Sequence, residues 1–271
     1  VPRFQGSNVP RFHGSIFPCS ENFGTLELWN SGTLELWNGA LILPWSAHLY
    51  TALGAVLALS ATISTFNDDF RWAFVALIAA TFIDATDGWW ARAVGVKERL
   101  PDFDGGRLDD IVDYLTYVFV PVLIVWRMGL LPDGWTLMVG GFVLVASAYG
   151  FAQSDAKVVT DDSFFTGFPS YWNVVALYLY LLRPSPDVTA LVLIALAILV
   201  FVPIRYVYPS RTRTLFVPTM VLGSSWAVLI GILVWRLPAT DGPWLMLSLI
   251  FPVYYVVLSL WLSAFARRAK A

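Results

Sequence analysis

The stretch Asp84-Ala85-Thr86-Asp87-Gly88-Trp89-Trp90-Ala91-Arg92, followed after a polar connector by Gly105-Gly106-Arg107-Leu108-Asp109-Asp110-Ile111-Val112-Asp113, decides how this chain is read. Eight acidic residues fall between positions 84 and 113, in a chain that is 58% hydrophobic and only 13% charged. Carboxylates at the edge of an apolar helix are costly unless they pair, coordinate metal or face water. Residues three and four apart share a helix face, so Asp84 and Asp87 lie on one stripe of the first segment and Asp109 and Asp113 on one stripe of the second. Two adjacent antiparallel helices thus converge four carboxylates on one point, where one or two divalent cations relieve the repulsion. Oxygen-only ligation favours Mg2+ or Mn2+ over zinc. Gly88, Ala91, Gly105 and Gly106 remove bulk beside the carboxylates and permit close approach of a ligand or backbone. Arg92 and Arg107 offer guanidinium donors suited to phosphate. Acids, small residues and arginines in this order have the make-up of a nucleotide diphosphate pocket.

Working outward, the 271 residues have a mean hydropathy of +0.67, whereas a soluble domain is about 45–50% apolar and about 25% charged. The fold class expected is an all-α, polytopic integral membrane protein. A net charge of -2 leaves no nucleic-acid footprint. Cys19 is the only cysteine, which excludes a disulfide framework and a cysteine metal site. Trp89, Trp90 and Trp135 are candidates for interfacial belts. Residues 1–43 read differently: Val1–Ser7 nearly repeats as Val9–Ser15, and Gly24–Asn30 repeats as Gly32–Asn38. Repeats this short build no solenoid. The tail is set apart as an appended, tag-like segment, the alternative being an amphipathic surface segment over Leu26–Leu43, and the transmembrane catalytic domain is placed at 44–271.

A helix needs about 20 apolar residues to span a bilayer, and eight segments qualify or nearly so: 45–65, 70–93, 106–127, 133–154, 169–183, 186–204, 214–235 and 243–265. The fifth is short, begins with Pro169 and is expected to be tilted or half re-entrant. One set of connectors collects Arg92, Lys97, Arg99, Arg107, Lys157, Arg205, Arg211, Arg213, Arg267, Arg268 and Lys270; the other holds only Arg71, Arg127, Arg183 and Arg236. The positive-inside rule makes the first side cytoplasmic. Both termini and the acidic cluster then face the cytoplasm.

The pattern Asp84-x-x-Asp87-Gly88-x-x-Ala91-Arg92, then Gly105-x-x-x-Asp109-x-x-x-Asp113, resembles the signature of the CDP-alcohol phosphotransferases, membrane enzymes that displace CMP from a CDP-linked lipid or alcohol with an acceptor hydroxyl. Most of that family has eight residues between the Ala-Arg pair and the next glycine; here there are twelve, Ala93 to Asp104. The longer gap resembles the bacterial phosphatidylcholine synthase branch, as do the flanking Leu100–Gly105 and Ile111–Pro121 and the eight expected spans. The resemblance implies an enzyme of the bacterial inner membrane that joins choline to CDP-diacylglycerol. It implies that Asp84, Asp87, Asp109 and Asp113 hold Mn2+ or Mg2+, that Asp84, Gly88, Ala91, Arg92 and Gly105 line the CDP moiety, and that Asp113 takes the proton from choline's hydroxyl. Membrane phospholipid is a partner, and homodimers occur in the family.

A quaternary ammonium has no donor and is recognised by aromatic faces and nearby negative charge. Tyr114, Tyr117 and Tyr149 are the first candidates for such a cage, with Phe164, Phe165, Tyr171 and Trp172 behind them. Arg107, Arg205 and Arg211 are candidates for phosphate or lipid head groups, although topology alone also explains them. His48 reads as a packing or interfacial histidine, and the connector aspartates as solvated or as caps of the following helix. Rival readings are the same chemistry with serine, inositol phosphate or glycerol phosphate as acceptor, a cation transporter, and a non-catalytic CDP-lipid binder. A transporter would run carboxylates across the midplane, and a mere binder would lack the base that Asp113 offers.

Overall fold

The computed structural model of the protein describes residues 42–153, 157–158, 164–208, 212, 214–239 and 242–268. The repeats of the tail, Cys19, Arg211 and Arg213 lie outside these residues. Helix α1, Ile42–Phe66, buries Ala47, His48, Thr51, Gly54, Ala58, Ala61 and Thr65, a seam of mostly small residues every three or four positions. Its large residues Leu49, Leu53, Val56, Leu59 and Ile63 point outward. A soluble helix does the reverse. In lipid, small residues allow backbones to approach and large apolar ones meet acyl chains.

The break at Asn67-Asp68-Asp69 ends α1, with Asp68 at φ 60. Asp69 then caps α2, Phe70–Ala93, its carboxylate accepting from the Trp72 N–H. The buried residues of α2 are Ala73, Phe74, Ala76, Leu77, Ala80, Ile83 and Asp87, so the acidic motif continues an inward-facing stripe. The long connector that follows folds into one helical turn, α3, Val96–Arg99, introduced by Gly95 in the left-handed region at φ 64. Asp104, one of the connector aspartates left open as solvated or capping, caps α4, Gly105–Asp113, by accepting from the Arg107 N–H at 3.1 Å.

From α4 the chain runs into a π-helical turn, Tyr114–Phe119, and on into α5, Val120–Arg127. The expectation of one unbroken α-helix over 106–127 is therefore revised. Pro121 is the physical reason: it has no N–H, and its ring crowds the carbonyl four residues back in a regular helix. The wider turn relieves this, the Val120 N–H reaching the Leu115 carbonyl, five residues back. Such turns often mark functional sites, and this one follows Asp113 directly.

The remaining helices are α6 (Thr136–Ala152), α7 (Trp172–Leu182), α8 (Pro186–Phe201), α9 (Phe216–Trp235), α10 (Pro243–Ser248) and α11 (Ile250–Arg268). The short fifth segment becomes α7, buried on nearly every side through Trp172, Ala176, Leu177, Tyr178, Leu179, Tyr180 and Leu181. Polar side chains tie it to its neighbours: Trp172 Nε1 donates to Ser147 at 2.7 Å, Asn173 to Thr81 at 3.2 Å, and Tyr178 to the Ser248 carbonyl at 2.8 Å. Three helical stretches, Ile42–Phe66, Phe216–Trp235 and Pro243–Ala264, are long and apolar enough to cross a membrane; Thr136–Ala152, Trp172–Leu182 and Pro186–Phe201 are apolar but shorter. The protein is a polytopic integral membrane protein built almost entirely of helices.

Two connectors add a feature absent from the sequence reading, a small antiparallel sheet in the order β1 (Lys157–Val158), β2 (Phe164–Thr166), β3 (Arg205–Val207). Unpaired edge groups of a strand must find partners. Helix α11 supplies them: Ser259 and Ser263 accept from the N–H groups of Val207 and Arg205 at 3.1 and 3.2 Å, and Tyr255 donates to the Val207 carbonyl at 3.1 Å. Residues 255, 259 and 263 lie four apart on one face, matching alternate residues of the strand.

Helices α1 and α4 approach closely at two points that rise together along both. A Cβ on Gly54 would stand 2.4 Å from Val112 Cγ1, and one on Gly105 would stand 2.7 Å from His48 Cε1. Overpacking of this kind costs about 1–3 kcal/mol. Gly54→Ala is therefore expected to lower the melting temperature of the detergent-solubilised protein, and adding Val112→Ala to recover most of the loss.

Candidate metal and transfer site

Asp84 from α2 and Asp109 and Asp113 from α4 each bring one carboxylate oxygen within 4.8 Å of the other two. Oxygens sharing a Mg2+ at about 2.1 Å stand roughly 3–4 Å apart, so the three fit one hard cation after a small contraction. The set contains oxygen donors only, which suits Mg2+, Mn2+ or Ca2+ better than softer metals. Asp87 is not part of this trio. It is buried, and its Oδ2 accepts from the Thr51 hydroxyl of α1 at 2.7 Å. Of the four carboxylates expected at one point, three are brought together and the fourth is held one turn further along α2.

Helix α1 grips the motif helix by two more side-chain bonds, Tyr50 Oη with Thr86 Oγ1 at 2.9 Å and Trp90 Nε1 to Ser46 at 3.2 Å. Sequence reasoning missed Ser46, Tyr50 and Thr51 because nothing in the acidic motif points to them. For Thr51 a signal was available in its spacing, since Ala47, Thr51 and Gly54 belong to one small-residue seam. Asp84 has a second anchor: its Oδ2 accepts from the Tyr117 hydroxyl at 2.6 Å.

The small residues of the motif have distinct neighbours. Gly88 leaves room for Arg92, whose Nη1 would lie 3.3 Å from a Cβ there, while Arg92 itself is exposed. Ala91 is partly buried on the same helix. Gly105 receives His48, which is buried and packs on Phe103 at a ring separation of 4.3 Å, with Trp45 at 5.8 Å. His48 is thus a packing histidine, and the extended gap supplies the Phe103 it packs on.

Other candidates are placed elsewhere. Arg107 pairs with Asp104 at 2.9 Å, both well exposed, an arrangement of little energetic weight. Arg205 lies over the Phe164 ring at 4.3 Å. Tyr114 donates to the Leu144 carbonyl of α6 at 2.9 Å, and Tyr149 packs on Phe201 of α8 at 5.0 Å. Trp172 belongs to the core. Of the aromatic candidates, Tyr117 touches the carboxylates, Tyr171 adjoins Tyr117, and Phe165 adjoins Tyr171.

The chain belongs to the CDP-alcohol phosphatidyltransferase family, whose model matches residues 45–203. More particularly, it is similar to the phosphatidylcholine synthase of Legionella pneumophila, with 36% identity over 219 residues covering 78% of this chain and 85% of that one. It is also 36% identical to the phosphatidylcholine synthase of Pseudomonas aeruginosa over 219 residues, 80% of this chain and 90% of the relative. The phosphatidylcholine synthase of Rhizobium meliloti is 32% identical over 231 residues, 83% and 93% of the two chains.

Thr51 orients Asp87, and removing an outer partner of a functional carboxylate commonly costs about 10–100-fold in activity. Thr51→Val is expected to lower transferase turnover on that scale, while Thr51→Ser, which keeps the hydroxyl, retains most of it.

Proposed function

We propose that the protein is a phosphatidylcholine synthase, which transfers the phosphatidyl group of CDP-diacylglycerol to choline and releases CMP. The observation that carries the reading is the trio Asp84, Asp109 and Asp113, within 4.8 Å of one another, inside a segment that matches the family. The named relatives, all phosphatidylcholine synthases over most of their length, support choline as the acceptor. Phosphorylated acceptors call for a dedicated basic pocket, which choline does not need. A site gathered at one end of two helices supports a transferase over a cation path.

In this reading Asp84, Asp109 and Asp113 hold Mn2+ or Mg2+, with Asp87 on the adjacent turn. The bound cation supplies charge neutralisation for the diphosphate and the departing phosphate. Gly88, Ala91 and Gly105 leave space for the nucleotide, and Arg92, exposed beside Gly88, reaches its phosphates. Choline's hydroxyl oxygen attacks the phosphorus that carries diacylglycerol. A new P–O bond forms to choline, the P–O bond to CMP breaks, and CMP leaves with the bonding electron pair. Asp113 accepts the hydroxyl proton. An aspartate has an ordinary pKa near 3.9, so it takes that proton as the new bond forms rather than before. The distribution of arginine and lysine supports a site facing the cytoplasm, with both termini on that side, in the inner membrane of a bacterium.

Release of CMP from CDP-diacylglycerol by the purified protein tests the reading: release is expected to require choline and a divalent cation, and to stop on chelation. Release that ignores choline, or that serine supports equally, would remove it. Asp113→Asn is expected to reduce turnover by at least about a hundredfold while CDP-diacylglycerol still binds, as measured by equilibrium binding of the radiolabelled lipid.

A further inference from the structure

We propose that the trimethylammonium group of the acceptor is recognised by one continuous wall of rings, Tyr117, Tyr171, Tyr255, Phe165 and Tyr208, with Tyr171 at its centre. This inference rests on the choline reading above and deepens it. Tyr171 contacts three of the other rings, at centroid separations of 6.3 Å to Tyr117, 6.4 Å to Phe165 and 6.2 Å to Tyr255. Phe165 in turn lies 4.5 Å from Tyr208. The wall starts at the carboxylates, because the Tyr117 hydroxyl donates to Asp84 at 2.6 Å. Negative charge beside π faces is what a cation without N–H donors requires. An acceptor with a primary ammonium needs hydrogen-bond acceptors when it leaves water, and aromatic faces supply few. Tyr171, Tyr255, Phe165 and Tyr208 all keep part of their surface accessible.

The backbone that delivers Tyr171 is held firmly in place. Ser170, which precedes it, is buried with φ 56, a left-handed conformation rare for a residue with a side chain. Gly167 has φ +83, and a Cβ there would meet the Val200 carbonyl oxygen at 2.3 Å. The N–H groups of Gly167 and Phe168 donate to Ile204 and Leu199 at 2.9 and 3.0 Å. The Tyr171 and Tyr255 rings are in contact, and Tyr255 is tied to β3. The position of the rings along the chain supports the same division of labour. The carboxylates lie within residues 45–203, the part matching the general family. Tyr208 and Tyr255 lie beyond it, so acceptor recognition draws on C-terminal elements outside the common transferase core.

The test is steady-state kinetics of CMP release by the full chain in lipid-detergent micelles, with choline, N,N-dimethylethanolamine and ethanolamine as acceptors. Tyr171→Leu is expected to raise the choline KM by about tenfold, to erode the preference for choline over ethanolamine by a similar factor, and to leave the CDP-diacylglycerol KM within about twofold. Tyr171→Phe keeps the ring and is expected to keep the choline KM within about threefold. Fluorinated phenylalanines at position 171, which preserve shape while draining the ring of electron density, are expected to raise the choline KM stepwise, and this series stands even if Tyr171→Leu fails to fold. A flat series, or equal increases for choline and ethanolamine, overturns the wall while leaving the choline reading intact. No choline-dependent release by the unmodified protein overturns both.

Discussion

Three carboxylate oxygens within 4.8 Å of one another repel by roughly 3 kcal/mol per pair at an effective dielectric of about 20. Much of the surrounding structure serves to hold them there. Asp84 is on α2, and Asp109 and Asp113 are on α4; each helix is pressed onto α1. The Thr51–Asp87 bond fixes α2, while Gly54 under Val112 and Gly105 under His48 fix α4. Such close approach is available only where a side chain is missing. The glycines therefore matter first as packing surfaces, and through that they bring the carboxylates together.

The same logic runs through the rest of the bundle. Between apolar helices in lipid the hydrophobic effect contributes little to association, so shape and hydrogen bonds have to do it. The seam of α1 is one expression of this. Others are the Trp172–Ser147 bond, the Tyr178–Ser248 bond and the ladder of Tyr255, Ser259 and Ser263 against β3. That ladder links the last helix to the small sheet, and the sheet and Ser170 place aromatic rings beside the carboxylates. The C-terminal helix is thereby linked, through Tyr255 and Tyr171, to the rings beside the carboxylates.

Legibility differed from element to element for physical reasons. Helix positions were readable because apolar runs and turn residues are local: the breaks at Asn67–Asp69 and at the Pro186 segment fall where the helices end. Helical spacing puts Asp84 with Asp87 on one face and Asp109 with Asp113 on another, and the docking of the two helices brings Asp84, Asp109 and Asp113 together. Asp87 lies on the same helical stripe as Asp84, and the structure adds what periodicity cannot show, the Thr51 hydroxyl 36 residues away as a partner of its Oδ2. The π turn had a local signal in Pro121 that a regular helical period conceals. The contact between Tyr171 and Tyr255, 84 residues apart in sequence and 6.2 Å apart in space, has no local signal.

The sequence by itself determined the membrane class, the family and the candidate carboxylates, since hydropathy, residue type and helical spacing are short-range properties. The tertiary structure decided which neighbour each group meets: Thr51 for Asp87, Tyr117 for Asp84, His48 for Gly105, and the rings that stand beside the carboxylates. Those partners depend on how separate helices dock, and docking turns on individual side-chain volumes and single hydrogen bonds between residues far apart along the chain.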